Sequence, residues 1–184
     1  MDLVLLFGAT PYFCFVVIII SGLLFRQKFS NEYDQDLPFV SVVIAARNEE
    51  KNISNLLNDL ITQVIDKNKF EVIVSNDRSE DETGKIINEY SRKYKFIKCI
   101  QITKKKDMAS KKYALEQAIK DSKGEIILAT DADCRVSKNW AISMANLVNK
   151  TNKVVIGYSK IKSKTTLINE IQKIDFLGIM ASNG

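Results

Sequence analysis

The stretch Glu125-Ile-Ile-Leu-Ala-Thr-Asp-Ala-Asp-Cys134 joins side chains that want different surroundings. Ile126, Ile127, Leu128 and Ala129 form an apolar run of strand length, and such a run buries itself. Asp131 and Asp133 follow it, and burying an unpaired charge is very costly. In extended backbone, residues two apart point to the same side. The two carboxylates would then repel unless one is protonated or a cation neutralises them. On the pattern alone two readings stay open. One is a hydrophilic turn with two solvated acids. The other is a cation site at the end of a buried strand.

The same grammar recurs on either side of this stretch. After Pro38, the residues Val40, Val42, Val43 and Ile44 read as a nearly continuous apolar strand of the buried parallel type. Asn48-Glu-Glu leads into a helical pattern, with Ile53, Leu56, Leu57, Leu60, Ile61 and Val64 on one face. Phe70–Ser75 is a second strand. Ser79 and Glu82 have the spacing of a capping box before a helix carrying Ile86, Ile87, Tyr90 and Tyr94. A third strand is predicted over Phe96–Ile102, a helix around Ser110–Asp121, and a fourth strand over Glu125–Thr130. Ser137 is the expected cap of a helix with Trp140, Met144, Leu147 and Val148. Val154–Ser159 reads as a fifth strand, followed by a helical segment from about Thr166. Strands alternating with helices over short connections indicate an α/β domain around a mostly parallel sheet.

In such sheets ligands bind outside the carboxyl ends of the strands. The polar clusters fall at those ends: Arg47-Asn-Glu-Glu50, Asn76-Asp77-Arg-Ser79 and Asp131-Ala-Asp133. Magnesium is usually held by one or two protein carboxylates plus substrate phosphates and water, which suits Asp131 and Asp133. Asp77 could accept from a nucleobase N–H or a ribose hydroxyl, or could be an acid favoured by a helix dipole. Arg47 and Glu49 could close around a base, or cap the first helix. Lys104, Lys105, Lys106, Lys111 and Lys112 could be a solvated run, or one or two could approach a phosphate as point charges.

Composition removes several alternatives. The chain has no histidine, which excludes Ser-His-Asp triads and His-ligated zinc. Any metal would be held by oxygen, as suits Mg or Mn. Cys14, Cys99 and Cys134 show no pairing spacing, and so predict no disulfide framework. The net charge of +5 fits a solvated surface, or a basic face toward anionic lipid or a phosphate-bearing substrate. Nucleic acid is not an expected partner, since basic and aromatic residues do not interleave. No Gly-x-Gly-x-x-Gly follows any strand, which argues against a dinucleotide-binding oxidoreductase. A phosphohydrolase using Asp-x-Asp would carry it after its first strand, whereas here it follows the fourth.

From Leu3 to Phe25 no charged residue occurs, and a membrane-spanning helix needs about 20 apolar residues. Asp2 precedes the run and Arg26 and Lys28 follow it, unlike the positive start of a cleaved signal peptide. The expectation is an uncleaved anchor over residues 1–25, a polar linker over 26–37 and a domain over 38–184. The flanking cations place that domain in the cytoplasm.

From about Pro38 to Ser159 the chain resembles a family 2 glycosyltransferase of the GT-A, Rossmann-like fold. The resemblance is carried by Ser41-Val-Val-Ile-Ala-Ala-Arg-Asn-Glu-Glu50, Val74-Ser-Asn-Asp-Arg-Ser-Glu-Asp-Glu-Thr83, Lys111-Lys-Tyr-Ala-Leu115 and Thr130-Asp-Ala-Asp133. It implies inverting transfer from a nucleotide-sugar donor, usually a UDP-sugar, to an acceptor hydroxyl. It implies that Ala45, Arg47 and Glu49 line the nucleoside pocket and that Asp77 contacts the base. Lys111 matches the lysine preceding the family's Ala-Leu pair. Asp131, Ala132 and Asp133 would face the donor, Asp131 and Asp133 holding the ribose and a divalent metal, Mg or Mn, on its diphosphate. A lipid-linked or polysaccharide acceptor accords with a membrane anchor. Two motifs depart from the family pattern. Asn76-Asp77-Arg78-Ser79 stands where Asp-Asp-Gly-Ser is usual, and Arg47 stands where an aromatic residue is frequent. The acceptor-side catalytic acid has no equivalent here, neither Glu170 nor Asp175 being assigned that role, and is expected beyond Gly184. The alternative to a complete enzyme is a nucleotide-binding half-domain that does not transfer sugar on its own.

Overall fold

The computed structural model describes residues 10–18, 21, 33–34, 36–103, 110–151 and 154–157. The chain divides into two compact units, Met1–Glu32 and Tyr33–Gly184. In the first, residues 10–18 and 21 are helical. Among the described residues no helix is long and apolar enough to cross a membrane. Most of the anchor expected over residues 1–25 lies outside the described residues, as do Lys104, Lys105, Lys106 and the helical segment expected from Thr166.

The second unit contains four parallel strands: β1 (Val40–Ala46), β2 (Phe70–Asp77), β3 (Ile97–Ile102) and β4 (Ile126–Ala129), in the order β3-β2-β1-β4. Between and after them come α1 (Ile53–Ile61), α2 (Thr83–Lys93), α3 (Ser110–Asp121) and α4 (Trp140–Thr151). Alternate residues of each strand face opposite layers. Val40, Val42 and Ile44 of β1 and Val72 and Val74 of β2 pack with Ile53, Leu56, Leu57 and Leu60 of α1, Ile87 of α2, and Ala141, Ile142 and Ala145 of α4. Val43 and Ile73 face the other way, against Ala118 and Leu115 of α3. Both faces of the sheet are covered, which is why β1 and β2 read as unbroken apolar runs rather than alternating ones.

Several local expectations are corrected. Helix α1 ends at Ile61, so Val64 lies beyond it and is exposed. No capping box forms at Ser79. Its hydroxyl donates to Asn76 Oδ1 and accepts from the Asn48 N–H, and α2 starts only at Thr83, whose N–H is received by Asp81 Oδ1. Ser137 receives the Trp140 N–H on its backbone carbonyl, not on a capping hydroxyl. Residues 154–157 form no strand. Val154 and Ile156 are exposed there, with no ladder partner among the described residues.

The second unit begins before Pro38. Leu37 is buried, Asn146 Oδ1 receives the Asp34 N–H, and Ser143 Oγ bonds to the Tyr33 hydroxyl. A polar network pins the opposite edge of the sheet. Glu71 Oε1 accepts from Ser41 Oγ and from the Lys123 N–H, both at 2.7 Å, and Oε2 accepts from Lys98 Nζ at 2.7 Å. Ser41 Oγ in turn accepts from the Gly124 N–H. A Cβ at Gly124 would lie 2.6 Å from the Ser41 nitrogen, so only glycine allows the chain to enter β4 this close to β1. The register that results, Val40 opposite Ile126 through Val43 opposite Ala129, sets where β4 ends.

Candidate functional site

The strand order makes β1 the turning point of the sheet: β2 and β3 lie to one side and β4 to the other. A crevice opens at the carboxyl ends of the strands at such a point. A cavity of about 280 Å³ lies there, lined by Ala45, Ala46, Arg47, Glu49, Asp77, Ser110, Lys111, Ala114, Asp131, Ala132 and Asp133. All eight donor-site residues expected from the sequence line this single cavity. They come from three strand ends and the start of α3, which no local pattern alone could bring together.

The loops after β1 and β2 hold each other. Asn48, with a left-handed backbone (φ 55°), receives the Glu80 N–H on Oδ1 at 2.9 Å. The Glu49 N–H donates to Thr83 Oγ1 at 2.7 Å, and the Glu50 N–H to Asp81 Oδ2 at 3.1 Å. These bonds fix the backbone that carries Arg47 and Glu49 into the cavity. The Glu49 carbonyl receives the N–H groups of Asn52 and Ile53, so the same residue also serves the start of α1. The Arg47 side chain has no hydrogen-bond partner among the described residues, and its charge helps keep Asp77 ionised. Asn76 does not reach the cavity wall. Its amide donates to Gln101 Oε1 at 2.8 Å and so ties β2 to β3.

Asp77, the last residue of β2, is buried with its carboxylate engaged. Arg78 Nε donates to Oδ1 at 2.8 Å and Nη2 to Oδ2 at 3.3 Å, while Ser110 Oγ donates to Oδ2. The Arg78 hydrogen bond, with those of Ser110 and the charge of Arg47, outweighs burial and holds this carboxyl below the usual range. At the other wall, Lys111 Nζ lies 2.8 Å from Asp131 Oδ1, and both side chains are more than half exposed. Ala132 is buried between the exposed Asp131 and Asp133. Downstream, Asp59 of α1 grips the loop. Arg135 Nε and Nη2 donate to its two oxygens at 2.6 and 2.8 Å, and the Val136 N–H at 3.1 Å. The buried Gln63 donates to the Ser137 carbonyl and accepts from the Ala141 N–H, each at 2.8 Å.

Among the described residues no group of three or more His, Cys, Asp or Glu side chains forms a ready-made metal centre. The two carboxylates at 131 and 133 nevertheless fit a hard cation that keeps most of its ligands as water and substrate oxygen. Among the residues that line the cavity, Arg47 and Lys111 face Glu49, Asp77, Asp131 and Asp133, and Asp77 is already paired with Arg78.

Sequence reasoning missed Ala46, Ser110 and Ala114. The signal was present for two of them. Ser110 and Ala114 are four residues apart on one face at the start of α3, with Lys111 beside them, so the helix start that presents Lys111 presents all three.

Known proteins of one family resemble this chain. Residues 41–180 match the family model of glycosyl transferase family 2. Probable glycosyltransferase YdaM of Bacillus subtilis (strain 168) is 37% identical over 145 residues, covering 77% of this chain and 34% of that protein. Beta-monoglucosyldiacylglycerol synthase of Trichormus variabilis is 30% identical over 124 residues, covering 67% of this chain and 26% of that protein. The crystal structure of S. aureus TarS 1-349 in complex with UDP-GlcNAc superposes with a TM-score of 0.54 at 30% identity, covering 67% of this chain and 37% of that one. The chain thus spans about a third or less of the length of these curated relatives. On the family match across most of its length, with the cavity at the strand ends that the matching motifs line, the chain belongs to glycosyl transferase family 2.

Proposed function

We propose that this chain carries the donor site of a glycosyltransferase that moves a sugar from a UDP-sugar to an acceptor hydroxyl with inversion, using Mg or Mn. The observation that carries the reading is the convergence of Arg47, Glu49, Asp77, Lys111, Asp131 and Asp133 on one cavity at the carboxyl edge of the sheet. The UDP-GlcNAc complex of TarS, whose shared segment is 30% identical, supports a uridine nucleotide. In this reading Ala45, Arg47 and Glu49 enclose the nucleoside and Asp77 receives a base N–H. Lys111 turns from Asp131 to the diphosphate. Asp131 and Asp133 are the protein ligands of the metal, Asp131 also facing the ribose. When bound, the cation would neutralise the departing nucleoside diphosphate. None of the cavity residues is assigned as the base that activates the acceptor.

Residues 1–25 are proposed as the membrane anchor, with the domain on the cytoplasmic side. The apolar run and the cations after it support this. A lipid-linked or polysaccharide acceptor is proposed with it; closeness to the bilayer and the glycolipid synthase among the relatives support the lipid-linked choice. The test is turnover. The chain is incubated with a panel of UDP-sugars, Mn and a membrane lipid or polysaccharide acceptor, and UDP release and labelled product are measured. Metal-dependent transfer from one donor, lost in Asp133→Ala, is the expected result. Metal-dependent UDP binding without transfer would favour the half-domain alternative. No binding would end both readings.

A further inference from the structure

The residue after Asp77 is unusual in its backbone and specific in its contacts. Arg78 has φ 52°, in the left-handed region that favours glycine. A non-glycine residue persists there only when the surroundings hold it. Here its own side chain does so. The guanidinium folds back over Asp77, with Nε on Oδ1 and Nη2 on Oδ2, and Nη2 also donates to Ser110 Oγ at 2.6 Å. Ser110 Oγ in turn donates a hydrogen bond to Asp77 Oδ2. The end of β2 is thereby joined to the first turn of α3.

A carboxylate offers about four acceptor positions. Arg78 Nε takes one on Oδ1, and Arg78 Nη2 and Ser110 Oγ take those on Oδ2. One position on Oδ1 is left, on a buried carboxylate that lines the cavity. A single free acceptor, rigidly held, admits a single N–H donor. It rejects a group that presents a lone pair in the same place, because two acceptors would then face each other without solvent.

We propose that Arg78 and Ser110 are positioning residues that set nucleobase specificity, locking Asp77 so that its one remaining acceptor selects a pyrimidine bearing a proton on N3 over one bearing a lone pair there. This rests on the donor-site reading above and adds to it the origin of the discrimination. Uracil carries the proton and cytosine does not.

The experiment measures UDP and CDP affinities by calorimetry with Mn present, for the wild-type chain, Arg78→Gly, Arg78→Lys and Ser110→Ala. The wild type is expected to prefer UDP by roughly ten- to hundredfold, the range of one hydrogen bond to a charged acceptor. Arg78→Gly suits the left-handed backbone but leaves the buried Asp77 carboxylate to Ser110 alone, so its melting temperature should fall and its UDP preference should drop to about threefold or less. Arg78→Lys keeps the charge but not the fork. It should lose part of the preference, and it carries the test if the glycine variant does not fold. A merely structural role would change the melting temperature and leave the UDP to CDP ratio alone. An unchanged ratio in Arg78→Gly, or equal affinities in the wild type, would overturn the proposal while leaving a nucleotide site in place. A wild type that binds neither nucleotide would remove the donor-site reading itself.

Discussion

Replacing Glu71 by glutamine tests how the sheet is held in the register that aims the site. The Glu71 side chain is 4% exposed and receives three donors, from Ser41, Lys123 and Lys98, all at 2.7 Å. Glutamine supplies one oxygen and one NH2 group. Whichever way it turns, its NH2 faces either the Lys98 ammonium or the Ser41 hydroxyl and Lys123 N–H. One charge-assisted bond is lost and at least one donor is left facing a donor, and Lys98 can turn partly to water. The loss works out at about 2–3 kcal/mol. In a domain of this size that lowers the melting temperature by about 5–10 °C.

The pH dependence has a definite sign. Burial alone would raise the Glu71 pKa, but the Lys98, Lys123 and Ser41 bonds outweigh it, and the folded carboxyl titrates below its ordinary range. A depressed folded pKa contributes stability above the unfolded value, about 4.3, and that contribution fades as pH falls through the folded value. Urea unfolding followed by circular dichroism at neutral pH and down to pH 3 reads it directly. The deficit of Glu71→Gln should be largest at neutral pH and shrink below about pH 4. A variant as stable as the wild type at neutral pH, or a deficit that grows on acidification, would refute the reasoning.

Three further outcomes follow from the same geometry. Gly84→Ala would place a Cβ 2.6 Å from Asn76 Nδ2, so stability should fall by about 1–3 kcal/mol in urea titration, with the Asn76–Gln101 bond the first casualty. Lys111→Met should act with opposite signs on two ligands. Mn alone should bind up to about fivefold more tightly once Asp131 is released from a solvent-screened pair, and UDP with Mn should bind more weakly. Asp59→Ala removes the acceptor of both Arg135 bonds and of the Val136 N–H. It should increase backbone amide exchange over residues 134–137 while β1 and β2 stay protected.

Much of this was legible in the sequence, for identifiable reasons. The strands of the central sheet are buried on both faces, so Val40–Ile44 and Phe70–Ser75 announce themselves as apolar runs. The site was legible because parallel sheets gather ligands at one edge, and polar residues stood at the ends of β1, β2 and β4. What failed was decided by contacts distant in sequence. Ser79 has the spacing of a capping residue, but Asn76 and Asn48 claim its hydroxyl first. The run at Val154 has strand character, yet residues 154–157 find no neighbour to pair with among those described. Arg78 read as a departure from the family pattern, while its fold back onto Asp77 and Ser110 depends on α3 arriving from 32 residues away.

The central claim is that Asp131 and Asp133 join a divalent cation to a nucleotide diphosphate in the cavity at the strand ends. The most direct measurement is calorimetric titration of UDP into the chain with and without Mn, repeated for Asp133→Ala. The account predicts binding that depends on Mn and weakens by at least tenfold in Asp133→Ala, a loss of about 1.4 kcal/mol or more. Binding of equal strength without Mn, or unchanged by loss of the Asp133 carboxylate, would contradict it.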